Sequence, residues 1–286
     1  MKQFCCAMLL LLSWRAHSQT HYQGPIIDMH VHVAVTPGEN GSLNKPNEIT
    51  DILPLLKTGI ARAGLITIAR QAGNMADTRL RNDSIIALCK KYPALIPICS
   101  VHPNDTTAAW EELTRIHQLG VQVIKLHPNA QRFDVSSPEV AALADAAGKL
   151  HMILLFDSYN PNDASELGKL MMLAVTHPDC RFIFAHMGFI HFNETLLVDA
   201  WRRYSWYKPN WWFDLSAISV VLGNSAYHDQ LMWTIRDVGI DRFIFGSDFP
   251  LFTPRETIDA VQKMGFTKAE EQAIFYDNTV KLLGLQ

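Results

Sequence analysis

Asp28-Met29-His30-Val31-His32, directly behind the apolar pair Ile26-Ile27, is where this chain concentrates groups able to do chemistry. Read as a strand, its alternation sets Asp28, His30 and His32 on one face, with Met29, Val31 and Val33 on the other. Two imidazoles spaced in this way can reach one divalent ion, and histidine is the commonest metal ligand near neutral pH. An isolated pair of this kind is equally at home as ordinary polar residues at a strand end. Further reactive groups recur along the chain, each at or near the end of a short apolar run: Arg70, His102, His127, Asp157, His186, Asp214 and Asp248. Imidazoles and carboxylates gathered together would suit a site that holds a cation and moves protons.

The runs that must position them are Pro25–Val33, Gly64–Arg70, Ile96–His102, Val121–His127, Met152–Ser158, Arg181–Met187, Trp211–Ser216 and Arg242–Asp248. Most are rich in Ile, Val, Leu and Phe, as strands buried on both faces of a parallel sheet should be. Helical stretches separate them; Ala108–Leu119 and Glu139–Lys149 carry apolar residues at three- and four-residue spacing. Gly120, Gly148 and Gly239 stand where such helices would close. Strands alternating with helices in this number predict an α/β fold, a single-domain (β/α)8 TIM barrel, with Lys268–Leu283 as an extra C-terminal helix outside it. The carboxyl ends of the strands form the rim on which this fold builds its sites, and the reactive groups fall there. The loop Thr36–Glu48, rich in Gly, Asn and Pro, would overhang the same rim.

Six short pieces in order carry a resemblance. They are Asp28–His32, Ile124-Lys125-Leu126-His127-Pro128, Phe184–Gly188, Phe213-Asp214-Leu215-Ser216, Phe245–Pro250, and the closing Asn278 with Leu282-Leu283-Gly284-Leu285. Together they resemble the amidohydrolase superfamily, in the amidohydrolase-related branch that also contains the aminocarboxymuconate semialdehyde decarboxylases. The resemblance implies that His30 and His32 hold one divalent metal ion, zinc or else manganese, and that Asp248 binds it from strand eight. Asp248 would also pass a proton, and His186 would polarise a substrate carbonyl.

On strand five the pattern departs from the family, which usually places a histidine ligand where this chain has Asp157. Three outcomes follow: Asp157 ligates through oxygen, His186 joins the ligands with Asp157 orienting a histidine, or the site has lost its metal as in metal-free lactonases. Lys125 and His127 share a parity that points both at the barrel axis. Lys125 would pair with an internal carboxylate or, carboxylated, bridge two ions. His127 and His102 stand higher, as substrate contacts or as rim histidines. Arg70 would grip a substrate carboxylate or an acidic neighbour. Asp214 is expected behind the ligands, and Asp28 is expected to orient the strand-one histidines.

Lys2, the apolar run Phe4–Leu12 and Ala16-His17-Ser18 read as a secretory signal peptide, residues 1–18, cleaved before Gln19. The expected location is therefore secreted or periplasmic. That run is too short to span a bilayer, so the mature chain is expected to have no membrane span. Removing Lys2 and Arg15 leaves 23 basic against 28 acidic residues, a net charge near −5. With no basic patch, nucleic acid is excluded as a partner, and a small-molecule substrate is expected. Cys89, Cys99 and Cys180 remain, as buried thiols or with one bridge among them. Trp201, Tyr204, Trp206, Tyr207, Trp211 and Trp212 would pack a helix on the barrel or join copies in a homo-oligomer. The leading functional expectation is a hydrolase using a metal-activated water on a C–N or C–O acyl bond of a small molecule. The alternatives are a metal-dependent decarboxylase of a small unsaturated acid, and a metal-free lactonase or inactive binding barrel.

Overall fold

Eight parallel strands follow one another in sequence order around a single sheet of the computed structural model, which describes residues 21–36, 45 and 47–285. They are β1 (Ile26–His32), β2 (Ile60–Ile66), β3 (Leu95–Ser100), β4 (Val123–Leu126), β5 (Ile153–Asp157), β6 (Arg181–Ala185), β7 (Trp211–Asp214) and β8 (Phe243–Ile244). The seam between first and last strands is closed by backbone bonds beyond the short β8. Met29 N donates to Phe245 O at 3.0 Å, Asp248 N to His30 O at 2.9 Å and His32 N to Phe249 O at 2.8 Å. The fold is thus the expected (β/α)8 barrel. Long helices fill most connections, Met75–Lys91 and Thr107–Gln118 among them, whereas the β1–β2 and β6–β7 links use short helical turns. The expected signal peptide and most of the loop 36–48 lie outside the described residues.

Alternation along the strands builds two apolar layers. Residues such as Ile124, Leu126, Leu154, Phe156, Phe182 and Phe184 belong to the outer layer, where the sheet meets the helices. Ile27, Met29, Ile66, Ile98, Val123, Ile153, Leu155, Ile183, Ala185 and Ile244 fill the barrel interior, with Leu282 and Leu283 from the C-terminal helix. That helix runs as Lys268–Gln272, a π-turn Ala273–Asp277 and Asn278–Leu283. It closes the amino-terminal end of the barrel: Asn278 Nδ2 donates to Phe243 O at 2.7 Å, and Arg181 donates to Leu282 O at 2.7 Å. The end opposite is left open for a site.

Two expectations need correction. The single-face reading of β1 fails at Met29, which joins Ile27 inside, while Val31 and Val33 join the outer layer. The pairing of β1 with β2 shifts register between Asp28 and Val31, and this bulge re-aims His30 and His32 inward. Strand β2 starts at Ile60 and stops at Ile66, because Ile60 pairs with Ile26, so Arg70 does not end a strand but lies four residues beyond one, exposed. The cysteines Cys89, Cys99 and Cys180 are buried free thiols.

Candidate metal centre

His30, His32 and Asp248 converge at the open end of the barrel. His30 Nε2 lies 3.2 Å from His32 Nε2 and 3.4 Å from Asp248 Oδ1, and His32 Nε2 lies 3.2 Å from that same oxygen. Donors bound at about 2.0–2.2 Å around one tetrahedral ion would stand about 3.4 Å apart, and octahedral neighbours about 3.0 Å. The observed triangle falls between these values, so the donor set fits a divalent ion. Asp248 reaches the cluster from a left-handed backbone, φ 63°, one residue past the amide that anchors the seam.

Behind the triangle lies a hydrogen-bonded support. His30 Nδ1–H donates to Asp214 Oδ2 at 2.8 Å, which fixes the tautomer and leaves Nε2 bare for the cluster. Asp214 Oδ1 accepts from the amides of His186 at 3.2 Å and Ser216 at 3.1 Å, and from the Ser216 hydroxyl. His30, His186 and Asp214 also lie close enough to hold an ion. Asp214 is already saturated by donors, so the His30, His32 and Asp248 group is the better candidate for an ion. Asp28 Oδ1 accepts from the amides of His30 at 3.1 Å and Ser247 at 2.9 Å, tying β1 to the segment after β8. Its other oxygen is buried and has no hydrogen-bond partner among the described residues.

Burial and neighbouring charge set the protonation of these groups. Burial, reinforced by the Lys125 charge, holds His30 down to about 4 against the pull of Asp214 and Asp248. A neutral imidazole is the form that ligates. Burial pushes Asp248 upward, but His30, His32 and His186 outweigh it and hold the carboxyl well below its ordinary range. Asp214 is held low in the same way, chiefly by His30 against burial. Asp28, with burial dominant, is raised to about 7.

Asp157 and His186 form a second group beside the first. By parity His186 would point outward with Phe184, but its backbone is left-handed, φ 62°, and turns the ring over the opening. The ring stacks on His30 with centroids 5.2 Å apart, its Nδ1 3.1 Å from Ser216 O and its Nε2 3.3 Å from Asp157 Oδ2. Burial alone would lower His186; the Asp157 carboxylate overrides it and lifts the group to about 9. Burial likewise opposes ionisation of Asp157, yet His127, His186 and Lys125 hold it far below the usual carboxylate range. His127 Nε2 is 3.7 Å from Asp157 Oδ2. Asp157 therefore pairs with two histidines and is not in the close triangle.

The remaining expected residues separate. Lys125 is fully buried, its Nζ 3.1 Å from His30 Nε2. His102 is buried too; its Nε2 meets Gln131 O at 2.7 Å and its Nδ1 accepts from Asn104 N, so it ties loops together. Neither His102 nor Arg70 lines the cavity above the triangle, which measures about 440 Å³. That cavity is walled by Tyr159, Pro161, Phe189, Val221, Leu251 and Phe252, with His32, His127, Asn129, Asp157, His186 and Asp248 as its polar groups. A larger cavity of about 870 Å³ lies on the outer flank by the helix Glu166–Thr176, away from the triangle, so volume does not locate the chemistry here.

Sequence reasoning overlooked Ser216 and Gln131. Ser216 Oγ lies 2.9 Å from His186 Nδ1 and 3.3 Å from His30 Nδ1, and its place two residues after Asp214 was a readable signal. Gln131 donates to Ala69 O and Val101 O and accepts from His127 N, stitching three rim loops. Only the fold brings those loops together.

A protein-family model described as amidohydrolase matches residues 27–285. No curated protein matches the chain. Among solved structures it is similar to 2,6-dihydroxybenzoate decarboxylase from Rhizobium, at 20% identity and TM-score 0.70 over 92% of this chain and 99% of that one. It is also similar to 5-carboxyvanillate decarboxylase from Sphingomonas paucimobilis, at 12% identity and TM-score 0.72 over 92% and 99%. A third is dihydroxybenzoic acid decarboxylase from Polaromonas sp. JS666 with bound manganese and the inhibitor 2-nitroresorcinol, at 17% identity and TM-score 0.70 over 92% and 97%. At such identities the likeness establishes the fold.

Proposed function

The chain belongs to the amidohydrolase family, and from that premise we propose that it is a metal-dependent lyase that removes carbon dioxide from a small unsaturated acid. One observation carries the reading: the triangle of His30, His32 and Asp248, with edges of 3.2–3.4 Å, at the base of a cavity with mostly apolar walls. The decarboxylases among its structural neighbours support it over hydrolysis, the leading expectation from sequence.

His30, His32 and Asp248 would hold the ion, manganese by likeness to the Polaromonas structure or zinc by donor chemistry. When bound, a divalent ion supplies Lewis acidity that takes up negative charge on a substrate oxygen. The walls of Tyr159, Phe189 and Phe252 exclude water from the carboxylate and favour its loss as a neutral gas. As the carbon–carbon bond breaks, its electron pair stays on the substrate carbon and takes a proton from His186 Nε2. Asp157 keeps that proton in place beforehand, and water restores it afterwards.

Hydrolysis of a lactone or ester remains the second reading, because Asp248, a corner of the triangle, is equally suited to take a proton from water. The deciding experiment strips the protein with chelator, restores manganese or zinc, and offers 2,6-dihydroxybenzoate and related monoacids. Metal-dependent release of carbon dioxide with the matching phenol is expected. Hydrolysis of a lactone panel without any carbon dioxide would overturn the lyase reading. We further propose, from residues 1–18, export of the mature chain, which amino-terminal sequencing of the exported protein would check.

A further inference from the structure

We propose that Lys125 is an internal competitor for the metal: its N–H closes the His30 lone pair until an ion displaces it. The inference rests on the reading that His30, His32 and Asp248 hold a cation. Lys125 is inside the barrel on β4, next but one to Val123, and no part of it is exposed. Its Nζ stands 3.1 Å from His30 Nε2. Among the described residues it forms no ion pair within 4.0 Å, although Asp157, Asp214 and Asp248 surround it at longer range.

The two occupants compete for one lone pair. The Nδ1–H of His30 is committed to Asp214 at 2.8 Å, so Nε2 offers one in-plane lone pair. An ion on that lone pair would sit about 2.0–2.1 Å from the nitrogen. Lys125 Nζ, 3.1 Å from the same nitrogen, donates to that lone pair and so contends with an ion for it. Loading would therefore break the lysine's hydrogen bond to His30. Without an ion, that N–H and His32 Nε2 at 3.2 Å are the two groups that meet this buried acceptor, which would be costly to leave bare. Lys125 thus acts as a positioning residue that weakens metal binding and steadies the metal-free site.

Lys125→Met and Lys125→Gln test this on the full chain. Dissociation constants for manganese and zinc are measured by competition with a chromophoric chelator, and melting temperatures are taken on chelator-stripped protein. Lys125→Met should bind metal at least tenfold more tightly than the native chain, and should melt several degrees lower when stripped. Lys125→Gln keeps an N–H donor and should fall between the two; it also serves if the methionine variant fails to fold. Equal or weaker binding in both variants, with the native chain binding normally, would overturn the role of Lys125 and leave the proposed function intact. Failure of the native chain and of both variants to bind either ion would overturn the metal reading and this inference with it.

Discussion

At the scale of single residues, the arrangement separates groups that would touch a cation from groups that hold those groups. His30→Ala or Asp248→Ala removes one corner of the triangle. Either variant should purify without stoichiometric metal and with no measurable turnover, while circular dichroism remains native; metal and activity at native levels would refute the assignment. Asp214→Asn keeps the shape but weakens the acceptor of the His30 Nδ1–H, and metal affinity should drop by about 10–100-fold. Asp157 and His186 form a separate ion pair with its own signature. The Asp157 carboxylate lifts His186 above its ordinary value to about 9, despite burial. Its contribution is complete below about 6.5 and is lost as pH climbs through about 9. In metal-free protein the melting temperature of the native chain should exceed that of Asp157→Asn by several degrees near pH 6, and the gap should close above pH 9 to 10. A gap that persists unchanged at pH 10 would show that the pair does not titrate as described.

At the scale of elements, the β1–β8 seam decides whether the triangle forms. Asp248 N donates to His30 O, so two of the three residues of the triangle are joined through their backbones. Gly246 makes room for this: a Cβ there would sit 2.8 Å from His30 Cβ and 3.4 Å from Asp214 Cγ. Gly246→Ala should therefore cost about 1–3 kcal/mol in denaturant unfolding and weaken metal binding, because the displaced atom belongs to His30, a proposed ligand. An unchanged midpoint and affinity would show that the seam yields without cost. The seam also explains what could be read beforehand. On β4 plain alternation placed Lys125 and His127 correctly toward the axis, because that strand is regular and buried on both faces. On β1 the same rule failed, since a bulge is a two-strand event that one strand's sequence does not announce. His186 was found by motif, but its inward turn depends on a left-handed backbone that parity cannot foresee. Arg70 was misplaced because Ile60-Ala61-Arg62-Ala63 lacks the β-branched density of the other strands, although it pairs with β1.

At the scale of the whole molecule, the cation would act as a clasp between the first and last strands. His30 and Asp248 are more than 200 residues apart in the chain, and the seam they share rests on a few backbone bonds beyond a two-residue strand. The C-terminal helix braces the far end through Leu282 and Leu283, so the open end depends most on its polar groups. An ion that binds only the closed barrel stabilises the entire fold by mass action, about 2.7 kcal/mol at a hundredfold excess over the dissociation constant. With about 2–4 °C per kcal/mol for a chain of roughly this size, saturating manganese or zinc should raise the melting temperature by about 5–10 °C. Near- and far-ultraviolet signals should shift together, because closure couples all eight strands, and Asp248→Ala should show no shift. A native chain whose melting temperature ignores saturating metal would mean that no ion spans the seam. A rise of equal size in Asp248→Ala would place the ion elsewhere in the barrel.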